Sequence, residues 1–161
     1  MQPMTVSASD HIEIHTRLGN DYRNWKHTAQ ELFAGSTILT RERERVEKGL
    51  QSGKAPIEVL TLWIELMLAA FGIECLIKAI WLKQGNTLAR DGKYIGMGKK
   101  EPYHQLVKLC DLAGITLDPR EADALQEISD IATLLGDTPL LNGLKTSVAA
   151  SRGLQSLLKS D

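Results

Sequence analysis

One long apolar stretch, residues 57–84, constrains the fold of this chain more than any other part of the sequence. It is too long for a strand, and it contains three charged residues, Glu65, Glu74 and Lys78. Each such charge costs about 2.5–3.5 kcal/mol near the centre of a membrane helix on insertion scales. The stretch is therefore predicted to be a core helix of a helical protein, and no membrane span or membrane partner is expected.

The remaining apolar residues also recur at helical rather than strand spacing. A first long helix is predicted to start at Asn20 or Asp21, and a third helix to cover about residues 102–113. A fourth is predicted to begin at Asp118 and to end at Gly136, and a fifth to end near Leu158. The Asp118 start is the clearest, because Pro119 fits a first turn and Glu121 completes a capping box. The prediction is an all-α, up-and-down bundle of about five helices.

A chain of 161 residues with 43% hydrophobic content fits one domain, here residues 1–161. Two segments fall outside the predicted helices: a poorly ordered tail at about 1–9, and a flexible, glycine-rich loop at about 85–101. No strand is predicted in either. Four basic residues of the loop are candidate contacts for phosphate or RNA: Arg90, Lys93, Lys99 and Lys100.

Charge and cysteine content narrow the class of protein. The net charge of −1 gives no overall basic field for nucleic acid. Cys75 and Cys110 lack metal-type spacing and are expected to be reduced thiols. The N-terminal residues show no signal-peptide pattern, so cytoplasmic residence is expected. No cofactor is expected.

Two charged residues of the apolar helix need partners. A helical projection places Glu74 and Lys78 among large apolar side chains, where an unpaired charge is costly. At spacing i, i+4 they can pair with each other, and His104 is the expected third member of a buried polar network. A different, thin stripe of the same helix is expected to face water; it consists of Glu58, Thr61, Glu65, Gly72 and Lys83.

The segment "GIECLIKAIWLKQG", a variable loop and then "YHQLVKLCDLAG" resemble the HEPN-type helical domain family. The resemblance covers about residues 21–141. It implies a HEPN-like helical scaffold of the kind associated with microbial defence and toxin–antitoxin loci. It also implies a homodimer that binds RNA, a nucleotide or a partner protein.

Ribonucleases of that family carry an arginine and a histidine with four to six residues between them, to stabilise the scissile phosphate and transfer a proton. No histidine of this chain follows an arginine at that spacing. The resemblance therefore implies a non-catalytic interaction module. The alternative is a metal-independent endoribonuclease that uses displaced residues, with Arg23, His27 and His104 as its candidates across a dimer cleft.

One pair of histidines has the spacing of two metal ligands on a helix. His11 and His15 stand at helical i, i+4 spacing and can supply two ligands to zinc. A zinc site normally needs three or four protein ligands, and no partner lies nearby in the sequence. No metal site is expected from the sequence alone.

Overall fold

The computed structural model of the chain describes residues 7–50, 58–98, 101 and 103–134. Within those residues it contains five helices and one two-stranded antiparallel hairpin, so the predicted all-α fold is confirmed. The helices are α1 (Ala8–Gly19), α2 (Tyr22–Leu50), α3 (Glu58–Lys83), α4 (Leu106–Leu112) and α5 (Pro119–Leu134). The strands are β1 (Ala89–Arg90) and β2 (Lys93–Tyr94).

Helices α2 and α3 form a long antiparallel pair. Near one end Arg43 of α2 meets Glu65 of α3, and near the other end Trp25 of α2 meets Lys78 of α3. Glycines allow the close approach between these contacts: a Cβ added at Gly72 would meet the ring of Phe33 at 2.9 Å. The pair therefore carries the charged cluster described below at the end where α2 begins.

The predicted water-facing stripe of α3 is wrong at Glu65. Glu65 is buried, and its carboxylate accepts a hydrogen bond from Arg43 Nε at 3.2 Å. Arg43 also bonds the Glu47 carboxylate at 2.8 Å, one turn along α2. Because α2 supplies a cation, the carboxylate can be buried against it, and this side of α3 faces α2 rather than solvent.

The core lies between α3 and the α4–α5 pair. Helices α4 and α5 are joined at Ser129, whose hydroxyl accepts the Leu106 N–H at 2.9 Å and donates to the Leu125 carbonyl at 2.7 Å. The buried side chains of this core are Ala70, Ile73, Ile77, Leu82, Leu88, Met97, Leu106, Leu109, Cys110, Ala113, Leu125 and Ile128.

Helix α1 was not predicted. It begins with a capping box in which the Asp10 N–H donates to the Ser7 hydroxyl and the Ser7 N–H donates to the Asp10 carboxylate. Two reciprocal bonds satisfy end groups that otherwise lack partners. Helix α1 thus begins inside the predicted tail at about 1–9. The predicted last helix, ending near Leu158, lies outside the described residues.

The starts of α5 and α4 can each be compared with the start predicted from the sequence. The capping box of α5 is confirmed, since Asp118 and Glu121 exchange backbone-to-carboxylate bonds of 2.9 and 2.8 Å. Helix α4 starts at Leu106 rather than near residue 102. His104 has a φ of +61°, a left-handed conformation that a helix cannot contain, so it lies in the turn before α4.

The segment predicted as a strandless, flexible loop contains the β1–β2 hairpin, which corrects that prediction. Asp91 and Gly92 form its tip with φ values of +51° and +72°, as a two-residue type I′ turn requires. Leu88 and Met97, on either side of the hairpin, are fully buried. Their burial holds the segment against the helices.

The end of α1 fixes the hairpin in place. The Asn20 side chain accepts the N–H groups of Leu88 and Ala89 at 2.7 and 2.9 Å and donates to the Ala89 carbonyl at 2.7 Å. The Thr16 hydroxyl accepts the Gly92 N–H at 2.7 Å. Asn20 thereby takes the place of a neighbouring strand along the outer edge of β1.

Candidate functional site

Three charged side chains form a buried cluster at the end of the α2–α3 pair where α2 begins. The Lys78 ammonium lies 2.6 Å from Glu74 Oε1 and 3.1 Å from Glu101 Oε1. The side chains of Lys78, Glu74 and Glu101 are 7%, 9% and 2% exposed. Charges with so little solvent must satisfy one another, because water cannot do so.

Two aromatic rings enclose the same ammonium. Lys78 Nζ lies 5.2 Å from the centre of the Trp25 ring and 5.1 Å from that of Tyr94, both within the range of cation–π attraction. The rings are themselves held, because Trp25 Nε1 donates to the Gly19 carbonyl at 2.9 Å and the Tyr94 hydroxyl donates to Glu101 at 2.7 Å. The cluster thus joins α1, α2, α3 and the hairpin.

The protonation states follow from these contacts. Burial by itself would lower the pKa of Lys78, but its hydrogen bonds with Glu74 and Tyr94 outweigh burial and raise that pKa above its ordinary value. Burial also raises the pKa of the Tyr94 phenol, and the neighbouring Glu101 carboxylate adds to the rise. Lys78 therefore stays charged, and Tyr94 stays a hydrogen-bond donor, well above neutral pH.

His104 extends the cluster to the surface. Its Nδ1 lies 2.9 Å from Glu74 Oε2, and its ring packs 5.2 Å from the centre of the Phe71 ring. The side chain is 40% exposed. The structure thus brings together Glu74, Lys78 and His104, as the sequence predicted, although His104 sits at the rim rather than in the interior.

Glu101 is the residue that sequence reasoning missed. Besides Lys78 and Tyr94, its carboxylate accepts the Met97 N–H at 3.0 Å. A Cβ at Gly96 would collide with the Glu101 carboxylate, and the φ of +74° is one that residues other than glycine rarely adopt, so a side chain here would be strained and would displace that carboxylate. The one signal in the sequence is an acid that directly follows two lysines of the loop, four residues after apolar Met97, and that signal alone does not identify a buried partner.

The residues named for the alternative ribonuclease are not brought together within one chain. Arg23 makes a two-pronged pair with Asp21, with both bonds at 3.0 Å, and His27 lies 3.4 Å from Glu31. Two residues along a helix place side chains on nearly opposite sides, so Arg23 and His27 point away from Trp25 and hence from the cluster. His104 lies on the cluster side.

The structure describes two of the four basic loop residues that the sequence suggested as contacts for phosphate or RNA. Arg90 and Lys93 are exposed and pair across the hairpin next to its turn. Lys99 and Lys100 lie outside the described residues. The tip of the hairpin therefore carries two adjacent cations that a phosphate could approach.

In the described part of the chain, no three or more side chains of histidine, cysteine, aspartate or glutamate group as a metal site would require. None of the helices in those ranges is both long and apolar enough to span a bilayer.

Comparison of the chain with family models, with curated proteins and with solved structures gives no match. The resemblance to HEPN-type domains therefore rests on the residues quoted from the sequence. Function has to be argued from the chemistry of the cluster and the surfaces around it.

Proposed function

We propose that this chain is a non-catalytic, HEPN-like interaction module that acts as a homodimer and binds RNA, a nucleotide or a partner protein in a microbial defence or toxin–antitoxin type system. One observation carries the non-catalytic part of the proposal. The charged groups of the cluster form ion pairs with one another, and the side chains of Lys78, Glu74 and Glu101 are all nearly excluded from solvent.

A general acid or base must reach the atom whose proton it transfers. Glu74 and Glu101 are engaged by Lys78, and a substrate could reach them only by opening the cluster. The raised pKa of Lys78 keeps its amine protonated at neutral pH, where it cannot accept a proton. These properties suit a group that holds helices together.

The apolar surface of the long helices supports the homodimer. Helix α3 carries apolar residues on all its sides, a pattern typical of a helix that is covered all round. Ile64 and Ile80 of α3 nevertheless remain exposed, as does Ile38 of α2. A second copy of the chain would cover apolar side chains of this kind.

Two measurements on the purified chain test the proposal, both in the presence of a chelator. Sedimentation at micromolar concentration should give twice the mass of one chain. Incubation with total RNA should leave the RNA intact, and RNA or nucleotide binding is then measured by titration. A monomeric mass would remove the dimer from the proposal, and rapid RNA cleavage would remove its non-catalytic character.

The alternative is a metal-independent endoribonuclease, and one observation favours it. Glu74 orients His104 through Nδ1, while Nε2 of the same ring has no hydrogen-bond partner among the described residues. An imidazole held in this way can exchange a proton through its outer nitrogen. RNA cleavage abolished by His104→Ala, in a variant that still folds, would establish the alternative.

A further inference from the structure

Helix α1 presents two histidines on a side that the other described elements of the protein do not cover. His11 and His15 are one turn apart, which places their Cβ atoms about 5–6 Å from each other. Both are exposed, and neither imidazole has a hydrogen-bond or ion-pair partner within the described ranges. The hairpin packs on another side of α1, where Ile12 and Thr16 contact Gly92.

Two apolar side chains share the strip with the histidines. Ile14 and Leu18 follow His11 by three and seven residues, so all four side chains lie along one side of the helix. Ile14 is 38% exposed and Leu18 is 47% exposed. A strip of two metal-ligating and two apolar side chains is suited to packing against another helix that carries the same pattern.

The ligand count decides what the strip can do. Zinc prefers four ligands in a tetrahedral arrangement, and histidine nitrogens bind it at about 2.0–2.1 Å. His11 and His15 supply two nitrogens, and the part of the chain that is described adds no third ligand to them. A two-fold related copy would supply the same two nitrogens and complete the set.

We propose that His11 and His15 form half of a zinc-type site that a second copy of this chain completes, with the two α1 helices crossing so that Ile14 and Leu18 pack around the metal. The metal thereby links two chains through α1. This association depends on the metal and does not rest on the homodimer proposed above, which is measured with a chelator present.

The test is a titration of the metal-free protein with Zn²⁺ and, separately, with Co²⁺. Binding should saturate at one metal ion per two chains, and the sedimenting mass should double relative to the metal-free protein. Co²⁺ should develop the visible absorption of a tetrahedral site. If the metal-free chain is already a dimer, the metal should convert it to a tetramer.

Variants assign the ligands. His11→Ala and His15→Ala should each weaken metal binding by at least about 100-fold, because loss of an outer-shell partner alone costs roughly 10–100-fold. Both sites are exposed, so circular dichroism should stay unchanged. His27→Ala, which removes an exposed histidine of α2, is the matched control and should bind metal as the parent does.

Three outcomes would overturn the proposal. They are one metal ion bound per chain without a change in mass, unchanged binding in His11→Ala and His15→Ala, and no binding at micromolar metal. The first would mean that the remaining ligands come from the same chain or from water. Failure of the metal test would not affect the proposed homodimer, which is measured in the presence of a chelator. A monomeric mass in chelator would likewise not affect the proposed metal-linked pair.

Discussion

The Lys78 ammonium lies 2.6 Å from the Glu74 carboxylate across one turn of α3, and both side chains are buried. Glu101 reaches the same ammonium from the segment that follows the hairpin, at 3.1 Å. Lys78 therefore links α3 to the segment that follows the hairpin. Its removal leaves the carboxylates of Glu74 and Glu101 without the cation between them.

Lys78→Met is expected to lower the free energy of unfolding by about 3–5 kcal/mol, the usual cost of removing one partner of a buried ion pair. Methionine keeps much of the length of the side chain, so the loss reports the charge. Lys83→Met, at the exposed end of the same helix, should change stability by less than about 0.5 kcal/mol. Urea denaturation of both variants measures the difference, and equal midpoints would contradict the account.

Gly96→Ala should destabilise the protein more than Gly98→Ala. Both glycines have positive φ, +74° and +113°, so alanine is strained at either site. Only at Gly96 does the new Cβ collide with Glu101, whereas at Gly98 no atom of the described residues lies within 4 Å of it. Thermal unfolding compares the two variants. Equal melting temperatures of Gly96→Ala and Gly98→Ala would show that the Glu101 side chain moves aside without a loss of stability, and would contradict the prediction.

Asn20→Ala should loosen the hairpin, with a loss of about 2–4 kcal/mol, because three hydrogen bonds disappear and two partly buried N–H groups lose their acceptor. Asn86→Ala is the control, since the Asn86 side chain makes one exposed bond to Trp81. Hydrogen exchange should show faster exchange at Leu88 and Ala89 in the first variant only. Unchanged protection there would contradict the assigned role of Asn20.

Stability should fall as the pH rises through the alkaline range. Burial raises the pKa of the Cys110 thiol from 9.0 to about 11, so the unfolded chain loses this proton first and unfolding is favoured between those pH values. The raised pKa values of Tyr94 and Lys78 act in the same direction above about pH 10. Cys110→Ala should make the decline between pH 9 and 11 shallower, and the remaining Cys75 thiol, whose pKa is also raised by burial, contributes to the decline in the same range. Denaturation midpoints from pH 7 to 11 measure the slope, and an equal decline between pH 9 and 11 in the variant and the parent would contradict the prediction.

Local signals accounted for much of the helical fold. The caps at Asp118 and the apolar period of residues 57–84 depend on neighbours in sequence, and α5 and α3 follow them. The hairpin was missed because its strands have two residues each, too few to show alternation, although Asp91–Gly92 is a turn signal.

The errors at Glu65 and at Glu101 have a tertiary cause. A helical projection of α3 separates polar from apolar sides, but it cannot tell that the polar side at Glu65 faces Arg43 of another helix. In the same way, spacing pairs Glu74 with Lys78, whereas Glu101 joins them only after the hairpin has folded back. Contacts between residues distant in sequence decide both cases.

We infer that the cluster of Glu74, Lys78 and Glu101 is a structural lock, in which the charged groups stabilise one another. The most direct test compares Lys78→Met with the charge-free triple variant Glu74→Gln, Lys78→Met, Glu101→Gln. The glutamine oxygens can still accept from His104, Tyr94 and Met97, so the triple variant keeps those hydrogen bonds and strands no carboxylate.

Urea denaturation and RNA or nucleotide titration of the parent, the single and the triple variant decide the matter. The triple variant should recover at least half of the stability lost in Lys78→Met and should bind ligand as the parent does. A structural role for the cluster would be contradicted if Lys78→Met unfolds at the parent's urea concentration while ligand binding or RNA cleavage is lost, because the cluster would then be a ligand site.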